Sequence, residues 1–300
     1  MYISTTHSAF TKWTKDDKKA IKIVADAGFT AYDFAITKKQ VLSGDYIAYA
    51  KSIREYADSL SLPCNQTHAP YPSILNGSYP LWEVGVYARD NDIQTEDFAE
   101  FNKKVRERII MALKFSEILG AKVCVVHPGI RSTEEENAEF YLSLADVARE
   151  TGVKIGVENA YDWKENEPTA SPAACSDHIR IKSLLDRLPE DVFVACIDIG
   201  HASLQGLDTS PAQMIESLGK RVGALHIHDV DLINDNHAIP FSLKVDYNPV
   251  IAALKKTGYK GDITLEADPW SGLPEELIPS VARYMADIAG YFRNELNKNK

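Results

Sequence analysis

The 300-residue chain reads as one α/β domain, a (β/α)8 barrel, and three observations carry that reading. Short apolar runs alternate with amphipathic segments along its length, the pattern of βαβ units and a parallel sheet. Four of the runs, Lys154–Glu158, Phe193–Asp198, Val222–His226 and Ile263–Glu266, end at once in a residue type that binds metal. The gaps between these end residues are 40, 28 and 40 positions (198−158, 226−198, 266−226), each room for one helix, one strand and their loops. The C-terminal ends of all strands in a parallel barrel meet at one face. Glu158, Asp198, His226 and Glu266 are therefore predicted to converge there.

Each element follows in order. Tyr2–Thr5 is the first strand. A helix over Asp16–Ala27 places Ala20, Ile21, Val24 and Ala27 at helical spacing, with Thr14 as N-cap and Gly28 past its end. Thr30–Ala35 is the second strand and Asp45–Ser59 its helix. Pro63–Thr67 is the third. Phe98–Leu119 is a long helix with Val105, Ile109, Ala112 and Leu119 on one face, stopped by Gly120. Lys122–Val126 is the fourth strand. Thr133 and Glu136 form a capping box opening a helix to about Glu150. The fifth strand ends at Glu158. A helix near Asp177–Arg187 leads to the sixth, which ends at Asp198. Ser210 caps a helix with Pro211 at its first position, running to about Lys220. The seventh strand ends near His226. Asn248–Thr257 is helical, the eighth strand ends at Glu266, and Pro274–Asn297 is the last helix.

Eight such units need about 250 residues. The surplus falls in three long segments, 71–97, 162–176 and 229–244, after strands three, five and seven. All three lie on the face of the carboxylates, where loops build a pocket or lid.

Lys and Arg number 33 against 43 Asp and Glu, a net charge of −10, which argues against a nucleic-acid or anionic-membrane partner. No apolar run approaches the roughly 20 residues that span a bilayer. Cys64, Cys124, Cys175 and Cys196 form no CxxC pair and read as buried, reduced thiols. A reducing, cytoplasmic location is the expectation, with a homo-oligomer compatible with the chain.

Three carboxylates in one pocket repel one another unless a divalent cation gathers them. Three carboxylates with one imidazole suit Mn2+ first, then Mg2+ or Co2+, with Zn2+ still open. Such an ion polarises a carbonyl, and Glu158 and Glu266 are the candidate proton carriers. His68, His127, His201, Asp235 and His237 fall at the same height and are candidate substrate contacts. His228, further along the strand of His226, is expected to face away and be structural. His7 and His178 read as ordinary. Tyr71, Trp82, Trp163 and Trp270 are candidate stacking partners for a sugar ring.

The stretches Thr67–Pro70, His127–Gly129, Val157–Asn159, Asp198–Ala202, Leu225–Asp229, Asp235–His237 and Leu265–Glu266, in this order, resemble the xylose-isomerase-like (AP endonuclease family 2) TIM-barrel superfamily, of the sugar phosphate isomerase/epimerase type. The resemblance implies one divalent metal held by Glu158, Asp198, His226 and Glu266. It implies a proton moved between the two glutamates through a metal-stabilised cis-enediolate, with His201 on a substrate oxygen. A small carbohydrate or polyol, phosphorylated or not, is the implied substrate. Two alternatives stay open. One is a lyase on the same scaffold, an inosose-type dehydratase or a glycoside-cleaving enzyme. The other is an endonuclease IV-like trinuclear zinc phosphodiesterase, whose ligand order His68, His127, Glu158, Asp198, His201, His226, Asp235, His237 and Glu266 also match. The chain departs from many relatives after strand seven. His237–Asp246 has neither the Gly-rich loop nor the Arg that clamps the sugar, and Lys244 is the nearest cation.

Overall fold

The computed structural model describes residues 1–78, 98–163 and 167–298. Most of the long segment after the third strand, Trp82 included, and residues 164–166 lie outside the described residues.

Eight parallel strands form the barrel: β1 (Ile3–Thr5), β2 (Tyr32–Ala35), β3 (Cys64–His68), β4 (Val123–Val126), β5 (Lys154–Glu158), β6 (Phe193–Asp198), β7 (Val222–His226) and β8 (Ile263–Leu265). Strands β2 to β7 pair consecutively as one six-stranded sheet, and β8 pairs with β1. Single bridges, Thr6 to Asp33 and Ile227 to Leu265, join the pair to the sheet and close the ring.

Sequence and structure agree on how the main helices bury their apolar stripes. The helix Asp17–Ala27 buries Ala20, Ile21, Val24 and Ala27, and Gly28 ends it at φ 99°, a left-handed conformation that suits glycine. The long helix spans Phe98–Leu119 as expected. At the start of Glu134–Leu142, Glu136 N–H donates to Thr133 Oγ1 and Thr133 N–H to Glu136 Oε2, completing the predicted box. All four cysteines are free and buried.

Three expectations need correction. Asp16, not Thr14, caps the first long helix, because its carboxylate accepts the Lys19 N–H at 2.9 Å. The helix from Thr133 does not run unbroken to Glu150. It ends at Leu142, and a second helix covers Ala145–Thr151. Arg106 takes both the hydroxyl and the carbonyl of Ser143 (3.0 and 2.8 Å), drawing that turn out of line. Two short helices, Ser8–Thr14 and Lys38–Leu42, were not expected at all. They hold only one or two turns and draw their stability from burying Ala9, Phe10 and Val41.

Candidate metal centre and active site

The strand ends bring the four expected residues to one point. His226 Nδ1 lies 2.7 Å from Glu158 Oε1, 3.0 Å from Glu266 Oε2 and 4.0 Å from Asp198 Oδ2. Ligand atoms of all four lie within 4.8 Å of one another. Glu158 is 1% exposed and forms the floor, whereas Glu266 is 21% exposed and stands at the mouth. Asn159, the residue after Glu158, fixes Asp198 by accepting its N–H (2.7 Å) and donating to its carbonyl (3.0 Å). The Asp198 carboxylate in turn accepts the His201 N–H at 2.7 Å.

On one flank, His68 and His127 reach the same carboxylate. Their Nε2 atoms lie 3.4 and 2.8 Å from Glu158 Oε2 and 3.0 Å from each other. Two ring nitrogens this close share a proton or a cation, since two lone pairs or two protons would repel.

On the other flank, His201, His228, Asp235 and His237 form a second group with ligand atoms within 4.8 Å. His201 Nε2 and His237 Nε2 each lie 3.3 Å from Asp235 Oδ2, and Tyr161 donates its hydroxyl to the same oxygen at 3.1 Å. His228 faces into this group, which corrects the sequence expectation. Residues two apart on an extended strand share a face, so His226 and His228 both point inward and Ile227 points away. Its Nε2 sits 3.0 and 3.1 Å from the two Asp198 oxygens, and its ring stacks on His237 at 4.2 Å. Asp198 therefore links the two clusters. Buried Asp229 organises the loop that carries Asp235 and His237. Its carboxylate accepts the N–H groups of Val230, Leu243, Lys244 and Val245 at 2.9 to 3.1 Å.

The charges respond to this crowding. Burial works against a charged Glu158, but His226 and His127 outweigh it and hold the carboxyl far below its usual range. Glu266 is lowered against its burial mainly by His226, and Asp235 by His201 and His237. His237 is pushed up to about 10: burial opposes its charge, but Asp235 and Glu266 prevail. His226 and His201 rise well above the ordinary imidazole value in the same way. Beneath the site, buried Asp33 is raised to about 6, chiefly by burial, which the field of His226 and His68 only partly offsets.

The donor set fits a divalent cation on one further observation. His68, His201 and His237 each donate Nδ1–H to a backbone carbonyl, of Ala69 (2.8 Å), Asn159 (3.0 Å) and Glu266 (2.9 Å). That bond leaves the Nε2 lone pair of the neutral ring facing the site, the second-layer arrangement that orients metal-binding histidines. Sequence reasoning missed His228, Asn159, Tyr161 and Asp33. For Asp33 the available signal was a charged residue in mid-strand between Tyr32 and Phe34; for Asn159 it was a side-chain amide directly after a candidate ligand.

The fold and its C-terminal cluster define a (β/α)8 barrel with a carboxylate–histidine centre at the strand ends. A profile of the xylose isomerase-like TIM barrel matches residues 21–288, and the chain belongs to that family. An uncharacterised protein of Methanocaldococcus jannaschii is 24% identical over 272 residues, covering 84% of this chain and 87% of that protein. Among solved structures, a D-psicose 3-epimerase with D-tagatose from Clostridium cellulolyticum H10 superposes with a TM-score of 0.72 at 16% identity, over 97% of this chain and 99% of the other. An AP endonuclease family 2 protein from Brucella melitensis superposes with a TM-score of 0.62 at 16% identity, over 89% and 93%. Among the described residues, no helix is long and apolar enough to cross a membrane.

Proposed function

We propose that this chain is a divalent-metal-dependent isomerase or epimerase of a sugar, sugar phosphate or polyol. The observation that carries the reading is the convergence of Glu158, Asp198, His226 and Glu266 within 4.8 Å, with two glutamates arriving from separate strands. Similarity to a D-psicose 3-epimerase supports it. These four residues would hold the ion, with Mn2+ favoured by the oxygen-rich set. When bound, the cation supplies Lewis-acid polarisation of a substrate carbonyl.

The remaining work falls to side chains of the chain. One glutamate removes the proton from the carbon beside the carbonyl, and the enediolate regains a proton from that glutamate or from the other after it has taken one from solvent or a protonated neighbouring histidine. Both stay ionised without a proton of their own at neutral pH, because the neighbouring histidines stabilise their charge. His201, His237 and Asp235 hold substrate hydroxyls on one flank, and His68 and His127 on the other. Tyr71 and Trp163, both exposed at the mouth, offer ring faces to the sugar.

The test is hydrogen–deuterium exchange at carbon for a panel of ketoses and inososes in heavy water, with Mn2+ added. Glu158→Gln and Glu266→Gln should each abolish exchange and leave the barrel folded by circular dichroism. Exchange retained in either variant would remove the proton-carrier roles. Loss of water or of an aglycone, in place of exchange, would move the assignment to a lyase.

A second reading, a polynuclear zinc phosphodiesterase, is favoured by the flanking groups. His68 and His127 extend the tetrad on one side, and His201, His228, Asp235 and His237 on the other. Similarity to an AP endonuclease family 2 protein supports it. The net charge of −10 weighs against a DNA substrate. Elemental analysis separates the readings: about one ion per chain supports the first, and about three zinc ions with cleavage of abasic DNA the second.

A further inference from the structure

Beneath the cluster lies a buried acid that the proposed chemistry does not use. Asp33 is 1% exposed, and its Oδ1 has no hydrogen-bond partner among the described residues. A buried carboxylate oxygen without a partner is rare enough to need a reason. Its neighbour on the strand fixes its direction. Phe34 stacks on His7 and on Phe115 of the long helix, outside the barrel. Successive residues on a strand face opposite ways, so Asp33 points into the barrel.

Side chains inside such barrels stack in layers of four, drawn from alternate strands. Following the strand register around the ring, with the stagger of about one residue per strand that closure needs, puts Thr6, His68, Glu158 and His226 in one layer. The layer directly below holds Asp33, Val125, Cys196 and Thr264.

His226 spends Nδ1 on Glu158 and Glu266, and its Nε2 is buried without a partner among the described residues. The Cys196 thiol acts on His226 from the lower layer, so the far edge of the ring faces that layer. Three of the four residues there are poor acceptors for the Nε2–H. Val125 has no polar side-chain atom. Thr264 Oγ1 already takes the Ser4 hydroxyl at 3.0 Å and the Asn65 amide at 3.2 Å. Burial pushes the Cys196 thiol up to about 12, and a protonated sulfur accepts weakly. Asp33 remains. Burial is the main influence on its carboxyl, and His226 is the strongest of the charges that oppose burial. Gln66, the register partner of Asp33, adds a second donor: it is 3% exposed and its Nε2 also lacks a partner. Two orphaned donors and one orphaned acceptor are the complement of a buried water, which makes about three hydrogen bonds.

We propose that Asp33 is a positioning residue of the metal centre: through a buried water shared with Gln66, it takes up the Nε2–H of His226 and holds that ring with Nδ1 turned to Glu158 and Glu266. A carboxylate behind a ligating imidazole fixes the tautomer and makes the ring a better ligand. The inference rests on the reading of the strand-end cluster as a metal centre.

The test compares the full chain with Asp33→Asn and Cys196→Ala, by NMR of nitrogen-labelled histidine and by calorimetric titration with Mn2+. In the metal-free protein, the Nε2–H of His226 should give a downfield proton slow to exchange with solvent, assigned by its loss in His226→Gln. It should move upfield and exchange faster in Asp33→Asn and stay in place in Cys196→Ala. Affinity for Mn2+ should fall roughly tenfold in Asp33→Asn, with no fall in the metal-free melting temperature, and hold in Cys196→Ala. A ring proton indifferent to Asp33→Asn, an unchanged affinity, or the same changes in Cys196→Ala would each overturn the proposal. So would affinity and melting temperature falling together, the mark of a packing role. A native chain that binds no Mn2+ or other divalent cation would sink the metal reading and the positioning role with it, whereas binding that Asp33→Asn leaves intact would sink the positioning role alone.

Discussion

Replacing Gly200 with alanine tests whether His228 belongs to the proposed metal-binding cluster or merely packs beside it. A Cβ at Gly200 would lie 2.0 Å from His228 Cε1 and 2.5 Å from each ring nitrogen, where ordinary contact is 3.4–4 Å. The ring must therefore retreat by at least about 1.4 Å (3.4 − 2.0). It has little room to do so, because it is wholly buried and stacked on His237 at 4.2 Å. Retreat breaks the contacts of 3.0 and 3.1 Å to Asp198. Overpacking of this kind costs about 1–3 kcal/mol, and the lost bond to a charged partner adds on the order of 1.5 kcal/mol. The expected fall in melting temperature is on the order of 5–10 °C. Cation affinity should drop roughly 10–100-fold, the usual effect of disturbing a ligand's support. The assay is a thermal melt and a metal titration of the variant, with Gly44→Ala as control because nothing lies within 4 Å of a Cβ there. Adding His228→Ala to Gly200→Ala should recover part of the lost stability, since the clash is gone. An unchanged melting temperature and affinity in Gly200→Ala would refute both the placement of the ring and its role.

Other expectations follow from the same geometry. In the metal-free protein, the raised histidines His201, His226 and His237 hold protons at neutral pH that a cation must displace. Metal affinity should therefore rise steeply from pH 6 to 9 with proton release, measurable by calorimetry in two buffers of different ionisation heat; a pH-independent affinity would contradict it. The histidines stabilise the metal-free fold fully below their ordinary value of 6.5, and this support is lost as pH rises toward about 10 for His237. The depressed Glu158 and Glu266 contribute above their ordinary 4.5 and lose that contribution as pH falls. Their combined support should peak between those values, a window that pH-dependent melts would locate. Asp33 acts in the opposite sense: its carboxyl is raised from 3.8 to about 6, so it costs stability as pH climbs through that interval. Asp33→Asn should stabilise the metal-free protein at pH 7, by up to about 3 kcal/mol, and change little below pH 3; equal melting curves at all pH values would count against it. Asp229→Ala strands the N–H groups of Val230, Leu243 and Val245, while that of Lys244 keeps the Val230 carbonyl at 3.2 Å, and should cost about 2–4 kcal/mol, with a weakened hold on Asp235 and His237 visible as lower cation affinity.

Much of the architecture was legible because barrels repeat. Period and caps identify Asp17–Ala27 and Phe98–Leu119, and the polar residue closing each apolar run marks the strand end that builds the site. What stayed hidden depended on contacts between distant segments. Arg106 interrupts a helix 37 positions away, and the carbonyls that orient His201 and His237 belong to residues 42 and 29 positions distant. His228 was a different kind of miss, since the two-residue period already put it on the face of His226. The groups Glu158–His226 and His201–Asp235 are neighbours only after the ring has closed.

That closure has a mechanical consequence. The barrel is a six-stave ribbon fastened by a two-stave clasp; on the β8 side the strands meet at one bridge, Ile227–Leu265, while on the β1 side the Thr6–Asp33 bridge is joined by the N–H groups of Thr30 and Ala31 donating to the Ile3 carbonyl. Glu266 follows the clasp strand β8, while Glu158, Asp198 and His226 stand on the ribbon. An ion shared by all four would rivet the clasp to the ribbon at the place where hydrogen bonding is thinnest. Loading the centre would then do more than equip it for chemistry: it would lock the hoop, and unloading would let the seam breathe first beside Glu266.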